Sequence, residues 1–543
     1  MTATLDRRSA VLDAQHAGDI RGALGTIRLD DTSPRRGRSA QLKTLLAIVG
    51  PGLIVMVGDN DAGAFAVYGQ AGQDYGTRLL WTLLLLVPVL YVNQEMVLRL
   101  GAVTGVGHAR LILERFGKFW GAFSVIDLFL LNALTIITEF IGITLAAGFL
   151  GVPRAVAVAL AALVIIGAAF TGSFRRFERM AVGLCAGSLL LIPIYFLSHP
   201  AASQMARGFA TPVLPGGSGG LATVLLLVIG IVGTTVAPWQ LFFQQSYVID
   251  KRITPRFIKY EQADLWIGIV VVILGAGAIM GFSAAAFAGT PGLGHFTDAA
   301  GVASGLQAHA GRVAGVLFAI ALLDASIIGA FAVSLSTAYA IGDVLGLKHS
   351  LHRGVKGAKG FYAIYGGLIL AAAAVVLIPG SPLGLLTEGV QALAGVLLPS
   401  AAVYLLLLCN DREVLGPWVN GRRTNLFTGT VVTVLVALSV ILTASVLDPG
   451  LDAGQILLIL ACCGGAAALF CLCLALRRLR PGGLAAVPID RTGRETWRMP
   501  QLALLRPPEV PAGRKIGMTV LRSYLAVATI LVAVKIIQLA LAH

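Results

Sequence analysis

Residues 50–69 read GPGLIVMVGDNDAGAFAVYG. The stretch opens as an apolar run. Asp59, Asn60 and Asp61 then arrive together, followed by Ala62-Gly63-Ala64, and the apolar run resumes. A charged group at mid-membrane is costly unless it faces a protein interior or a water-filled cavity. Glycines and small residues around it suit an unwound backbone, whose freed carbonyls can coordinate a cation.

The rest of the chain places this stretch in a membrane. Of 543 residues, 57% are hydrophobic and only 13% charged, against about 25% charged in soluble domains. The mean hydropathy is +0.84. A spanning helix needs about 20 mostly apolar residues. Twelve such runs are present, at 45–69, 79–100, 120–149, 154–172, 180–198, 221–246, 264–288, 312–345, 361–379, 383–409, 426–447 and 455–476. They are numbered spans 1 to 12 below. A thirteenth candidate at 519–541 carries Lys535, which can snorkel to the interface or belong to a helix lying on the surface. Barrel-type alternation is absent, so the expected fold is an all-α polytopic membrane protein with 11–13 spans.

The charge of +14 invites a nucleic-acid reading. Its distribution argues against one. Eight Lys/Arg precede span 1, and then poor and rich loops alternate. Arg78 alone follows span 1. Arg99, Arg110, Arg115 and Lys118 follow span 2, and Arg154 alone follows span 3. The alternation continues to the Arg477–Lys515 segment, which holds nine. This is the positive-inside pattern, and it predicts a cell-membrane, multi-pass protein, bacterial in character, with a cytoplasmic N-terminus. Residues 1–43, polar and basic, read as a disordered cytoplasmic tail. Residues 477–543 read as a second basic cytoplasmic segment with the thirteenth helix at its end. No cleavable signal peptide is visible. The six cysteines, Cys185, Cys409, Cys462, Cys463, Cys471 and Cys473, lie in apolar spans and read as small apolar residues rather than ligands.

Span 6 holds a second interruption: LLLVIGIVGTTVAPWQLFFQQS, Leu225 to Ser246. Pro238 breaks a helix interior, and Gln240, Gln244 and Gln245 follow it. Spans 1 and 6 each open a group of five, and the two groups begin on opposite sides of the membrane. Two broken helices at corresponding positions of inverted halves mark an inverted-repeat transporter, with its site where the breaks meet. The core then runs over 44–410, as halves 45–198 and 221–409, with spans 11 and 12 added at 411–476. In span 10, Gln391 and Pro399 interrupt an apolar run, with Glu388 one turn earlier. Gln391 either reaches the central cavity or makes an interhelical hydrogen bond.

At these residues the chain resembles the Nramp family of divalent-metal transporters over roughly 45–447, which implies the leucine-transporter-like fold of five plus five helices. Asp61-Ala62-Gly63-Ala64 stands where that family carries Asp-Pro-Gly-Asn, and Ala237-Pro238-Trp239-Gln240-Leu241 where it carries Met-Pro-His-Asn-Leu. Gln391 and Pro399 keep its span-10 spacing, and Leu100 to Gly105, LGAVTG, its loop after span 2. Glu139 matches the second of an acidic pair in span 3, and the first falls on Ile136. The resemblance implies metal ligands at Asp61 and at the backbone carbonyls of Gly58 and Thr234, with Gln391 contributing from span 10. Asp59, Ala64, Ala237, Trp239, Gln240 and Glu139 would line the pocket; the alternative for Asp59 is an interior group paired with a helix, and for Glu139 a structural hydrogen bond. The departures are the asparagine, methionine and histidine positions, occupied by Ala64, Ala237 and Trp239. They resemble the Nramp-related magnesium transporter branch.

Chemistry points the same way. A thioether favours transition metals, whereas magnesium parts with its water reluctantly and usually keeps several waters when bound. A wide pocket with a carboxylate, carbonyls and an amide suits a partly hydrated magnesium ion. The expected function is uptake of a divalent cation, magnesium and also manganese, without proton coupling, since Trp239 and Ile136 cannot titrate. Asp127, Asp324 and Glu95 read as structural or interfacial, and His108, His295 and His309 as loop residues without ligand spacing. The expected partners are the metal ion and the lipid bilayer. No cofactor, nucleic acid or obligate protein partner is expected, and no enzyme motif stands out. Two alternatives are a cation-coupled symporter of small organic solutes such as amino acids, on the same fold, and a non-transporting membrane receptor.

Overall fold

A computed structural model describes residues 13–215, 220–378, 383–447, 452–479, 490–506 and Ser523. The candidate span at 519–541 lies outside these residues, apart from Ser523.

All twelve expected spans are helical. Among the described residues, eight helices are long and apolar enough to cross a bilayer, and two more spans qualify as bent pairs. These ten are joined by two shorter apolar helices, at Arg154–Ala169 in span 4 and Gly454–Leu469 in span 12. The only strands among the described residues are the two-residue pair Ile20–Arg21 and Thr26–Ile27.

Span 1 is three helices: Arg38–Ile48, Pro51–Val57 (span 1a) and Ala62–Tyr75 (span 1b). The first two meet at 54°. Span 6 divides into Gly220–Thr235 (span 6a) and Pro238–Asp250 (span 6b), with Ala237 extended between them at φ −88°, ψ 144°. Span 1 packs along span 7 as span 6 packs along span 2, and span 3 (Lys118–Phe149) runs against span 8 (Arg312–Leu345). That pairing is the one two related halves produce. Small residues let the backbones approach: a methyl on Gly52 would lie 2.6 Å from Leu265 N, and one on Gly268 2.6 Å from Gly52 O.

Three helices lie in stretches expected to be loops: His108–Phe116, Ala202–Ala210 and Ala299–Ala310. His108 and His309 are therefore not loop residues. His108 is buried, with Nδ1 2.9 Å from Gln245 Oε1 on span 6b. Of the cysteines, Cys185 and Cys409 are buried, while Cys462 is exposed on the outer surface of span 12.

The expected disordered tail is corrected from Asp13 onward. Asp13 caps a short 3-10 turn and pairs with Arg353 at 2.6 Å. The buried His16 meets the carbonyl of His349 at 3.1 Å, and Arg252 donates to the carbonyls of Gln15 and Asp19 at 2.8 and 3.1 Å. Further on, Ala23 N–H donates to Glu178 Oε2 at 2.5 Å, and Ile20, Ala23 and Ile27 are buried. Composition failed here because the anchors are few and their partners lie hundreds of residues away. Residues 490–506 likewise fold back: Met499 is buried, and Arg498 donates to the carbonyl of Ala102 at 2.6 Å.

Candidate functional site

Span 1a ends at Val57, and Gly58, Asp59, Asn60 and Asp61 form the gap before span 1b. The three polar residues are buried. Asp61 is the N-cap of span 1b, and its Oδ1 accepts Ala64 N–H at 2.9 Å. This use of an acid is ordinary capping, with the helix dipole adding to it. Glu139, on span 3, supplies a second cap from outside the segment: its Oε2 accepts Ala62 N–H at 3.1 Å. Both acids press on span 8 at Gly329, where an added methyl would lie 2.7 Å from Glu139 Oε2 and 2.9 Å from Asp61 Cβ.

These bonds account for the carbonyls expected to face a cation. In a helix the carbonyl of residue 58 would accept from residue 62, but Ala62 N–H is turned to Glu139. The carbonyl of residue 234 would accept from residue 238, which is Pro238 and has no N–H. One carbonyl is released by a side chain on another span, the other by a ring in its own.

The two breaks touch. Gln240, in the first turn of span 6b, donates to Asp59 Oδ1 and, more weakly, to the carbonyl of Thr235 at 3.3 Å. Its Oε1 accepts from Gln94 of span 2 at 2.9 Å, which fixes which end of the amide faces Asp59. The hydroxyls of Tyr68 and Thr235 are 2.7 Å apart. Trp239 is buried, its ring edge 3.7 Å from where a methyl on Gly58 would sit, and Ser336 of span 8 donates to its carbonyl at 2.9 Å. Ala64 and Ala237 are buried beside the breaks.

Three buried oxygens here have no hydrogen-bond donor: Asp59 Oδ2, Glu139 Oε1 and Thr234 Oγ1. Native proteins leave few such atoms unpaired. None of the side chains named at the two breaks is basic, and no group of three His, Cys, Asp or Glu gathers to hold a metal among the described residues. An ion here would draw on carbonyls, amides and its own water as well as on carboxylates. The structure thus brings together Asp59, Gly58, Asp61, Ala64, Glu139, Thr234, Ala237, Trp239 and Gln240. Gln391 stands on the helix Leu383–Cys409, but its side chain lies outside the described residues. Asp127, Glu95 and Asp324 lie elsewhere: Glu95 pairs with Arg99 at 3.1 Å, and Asp324 lines a separate small cavity with Asn60.

Sequence reasoning missed Tyr68, Gln94, Ser336 and Gly329, and named Asn60 without giving it a role. Gln94 carried a signal, as an amide inside an apolar span. Gly329 carried none, because only its neighbours show why a side chain does not fit.

The family model "Natural resistance-associated macrophage protein-like" matches residues 52–445. The chain is 31% identical over 405 residues to the divalent metal cation transporter MntH of Ralstonia nicotianae, covering 70% of this chain and 87% of that protein. It is 28% identical over 431 residues to MntH of Burkholderia ambifaria, with 74% and 90% covered. A crystal structure of a mutant Eremococcus coleocola manganese transporter superposes with a TM-score of 0.63 at 19% identity, over 84% of this chain and 97% of that one. The match over most of the chain, broken spans included, shows that the chain belongs to the Nramp family.

Proposed function

We propose that the chain carries a divalent metal cation across the bilayer through the junction of the two helix breaks, with magnesium as its preferred cargo and manganese as a second. The observation that carries this reading is the set of three buried oxygens without donors, beside two released carbonyls and no basic side chain among the residues described at the breaks. A buried carboxylate oxygen left without a donor is costly, and a cation passing through offsets that cost. The relatives named above, divalent metal and manganese transporters by name, support the cation reading. The loss of methionine, asparagine and histidine at Ala237, Ala64 and Trp239 favours magnesium over manganese, since only oxygen donors remain.

The N-terminus is assigned to the cytoplasm on the alternation of basic loops. The membrane potential then drives uptake: a dication gains about 4.6 kcal/mol on crossing 100 mV inward, which supports roughly a 2000-fold gradient. An organic-solute symporter is disfavoured by a specific feature. The N–H groups of span 1b that would hold a substrate carboxylate are already taken, Ala62 by Glu139 and Ala64 by Asp61.

The test is magnesium and manganese flux into liposomes holding the purified protein, wild type against Asp61→Ala. Flux in the wild type and none in a folded Asp61→Ala protein is the expected result. Near-normal magnesium flux in Asp61→Ala removes the site assignment.

A further inference from the structure

We infer that Glu139 is a positioning residue that holds span 1 open at its break, and so supplies the Gly58 carbonyl to the cation without itself needing to carry a proton. The inference rests on the cation-transport reading of this site.

The gap between spans 1a and 1b is only four residues, 58 to 61. The backbone just before it is already turning as a helix: Asp59 N–H donates to the Met56 carbonyl at 3.3 Å and Asn60 N–H to Val57 at 3.1 Å. Ala62 is the first residue of span 1b. If its N–H returned to the carbonyl of Gly58, the two helices would begin to join and that carbonyl would be spent. Glu139 Oε2 takes the N–H instead, at 3.1 Å. Neither Gly58 nor Ala62 can do this alone, because both are backbone partners with no side-chain acceptor.

The carboxylate is held where it is by more than this one bond. Glu139 is wholly buried, and a side chain at Gly329 of span 8 would collide with it and with Asp61. Asp61 itself caps Ala64, so the N-terminus of span 1b is held by two acceptors from two different spans. What the Ala62 N–H requires is an acceptor oxygen at the end of a side chain of this length. A glutamine has that oxygen and cannot take part in proton transfer. A leucine has the shape and no acceptor. The pair Glu139→Gln and Glu139→Leu therefore separates positioning from titration.

The experiment measures KM and kcat for magnesium flux in liposomes, with thermal stability, for wild type, Glu139→Gln, Glu139→Leu and Gly329→Ala. Glu139→Gln loses a charge near the cation but keeps the acceptor, and should raise KM several-fold less than Glu139→Leu does. Glu139→Leu should raise KM by about ten- to a hundredfold, the effect of losing a hydrogen bond that organises a charged site, with kcat less affected. Gly329→Ala, which pushes the carboxylate off the N–H, should resemble Glu139→Leu and stands in for it if that variant does not fold. A structure of Glu139→Leu, or of Gly329→Ala in its place, should show Ala62 N–H turned to the Gly58 carbonyl. Glu139→Gln impaired as much as Glu139→Leu, or a variant structure with the break unchanged, overturns the inference. Absence of cation flux in wild type would fail the transport reading instead, and the variant structure would still decide the role of Glu139.

Discussion

The Gln240 side chain joins the two helix breaks: it donates to Asp59 Oδ1 while its own carbonyl accepts from Gln94 at 2.9 Å. Three side chains from spans 1, 6 and 2 thus form one line with a fixed direction. The far oxygen of Asp59 has no donor.

Removing the link tests whether Asp59 belongs to the site. Gln240→Leu leaves a buried carboxylate without a donor and should cost about 1–3 kcal/mol of stability. Asp59→Asn keeps an acceptor for Gln240 and should fold normally, yet raise the KM for magnesium at least about tenfold, since it removes a full charge near a dication. Thermal melts and liposome flux read the two effects. Unchanged KM in Asp59→Asn would show that Asp59 only braces the break.

Selectivity is tested by restoring family ligands. Ala64→Asn with Ala237→Met adds a neutral and a soft donor and narrows the pocket. Both positions are buried beside the breaks. Manganese should then compete against magnesium flux more strongly than in wild type. An unchanged ranking of the two ions would place selectivity elsewhere.

Coupling is tested with a pH dye trapped in the liposomes. Glu139 is engaged with Ala62, and the position of the first acid of the family's pair is occupied by Ile136. Magnesium entry should proceed without proton entry. A proton influx that tracks magnesium and vanishes in Asp61→Ala would show coupling.

The docked N-terminal segment should respond to acid through His16. Burial, foremost, holds its pKa below the ordinary value, and the neighbouring His349 adds to this against the opposing pull of Asp250, 3.7 Å away. A histidine whose folded pKa is depressed is stabilising when neutral, and that contribution is lost as pH falls below about 6.5. His349 behaves oppositely: burial opposes its charge, but the Asp343 carboxylate at 2.9 Å outweighs it and lifts the pKa to about 9. Its contribution is present below about 6.5 and lost as pH rises through about 9. Tryptic cleavage after Arg21 and Arg28, both exposed on the docked segment, should therefore speed up below about pH 6. A His16→Gln protein should lack the acid step. Cleavage that ignores pH between 5 and 7, a range set by the unperturbed histidine pKa of about 6.5, would rule this out.

Much of the molecule was legible in one dimension, for a physical reason. A bilayer admits only helices whose backbone bonds close within the segment, so each span announces itself as an apolar run, and lysines and arginines mark its sides. All twelve runs are helices. The breaks were legible too, because Asp59, Asp61 and Pro238 are expensive in such runs and need a local cause. Tertiary structure alone decided how the breaks work. That Ala62 N–H turns to Glu139, 77 residues away, and that Gln94 fixes the direction of Gln240 across 146 residues, are facts of packing that no local pattern encodes. The same holds for the N-terminal segment. Its composition is that of a solvated tail, and its order comes from Glu178, Arg252, His349 and Arg353, which the fold carries to it.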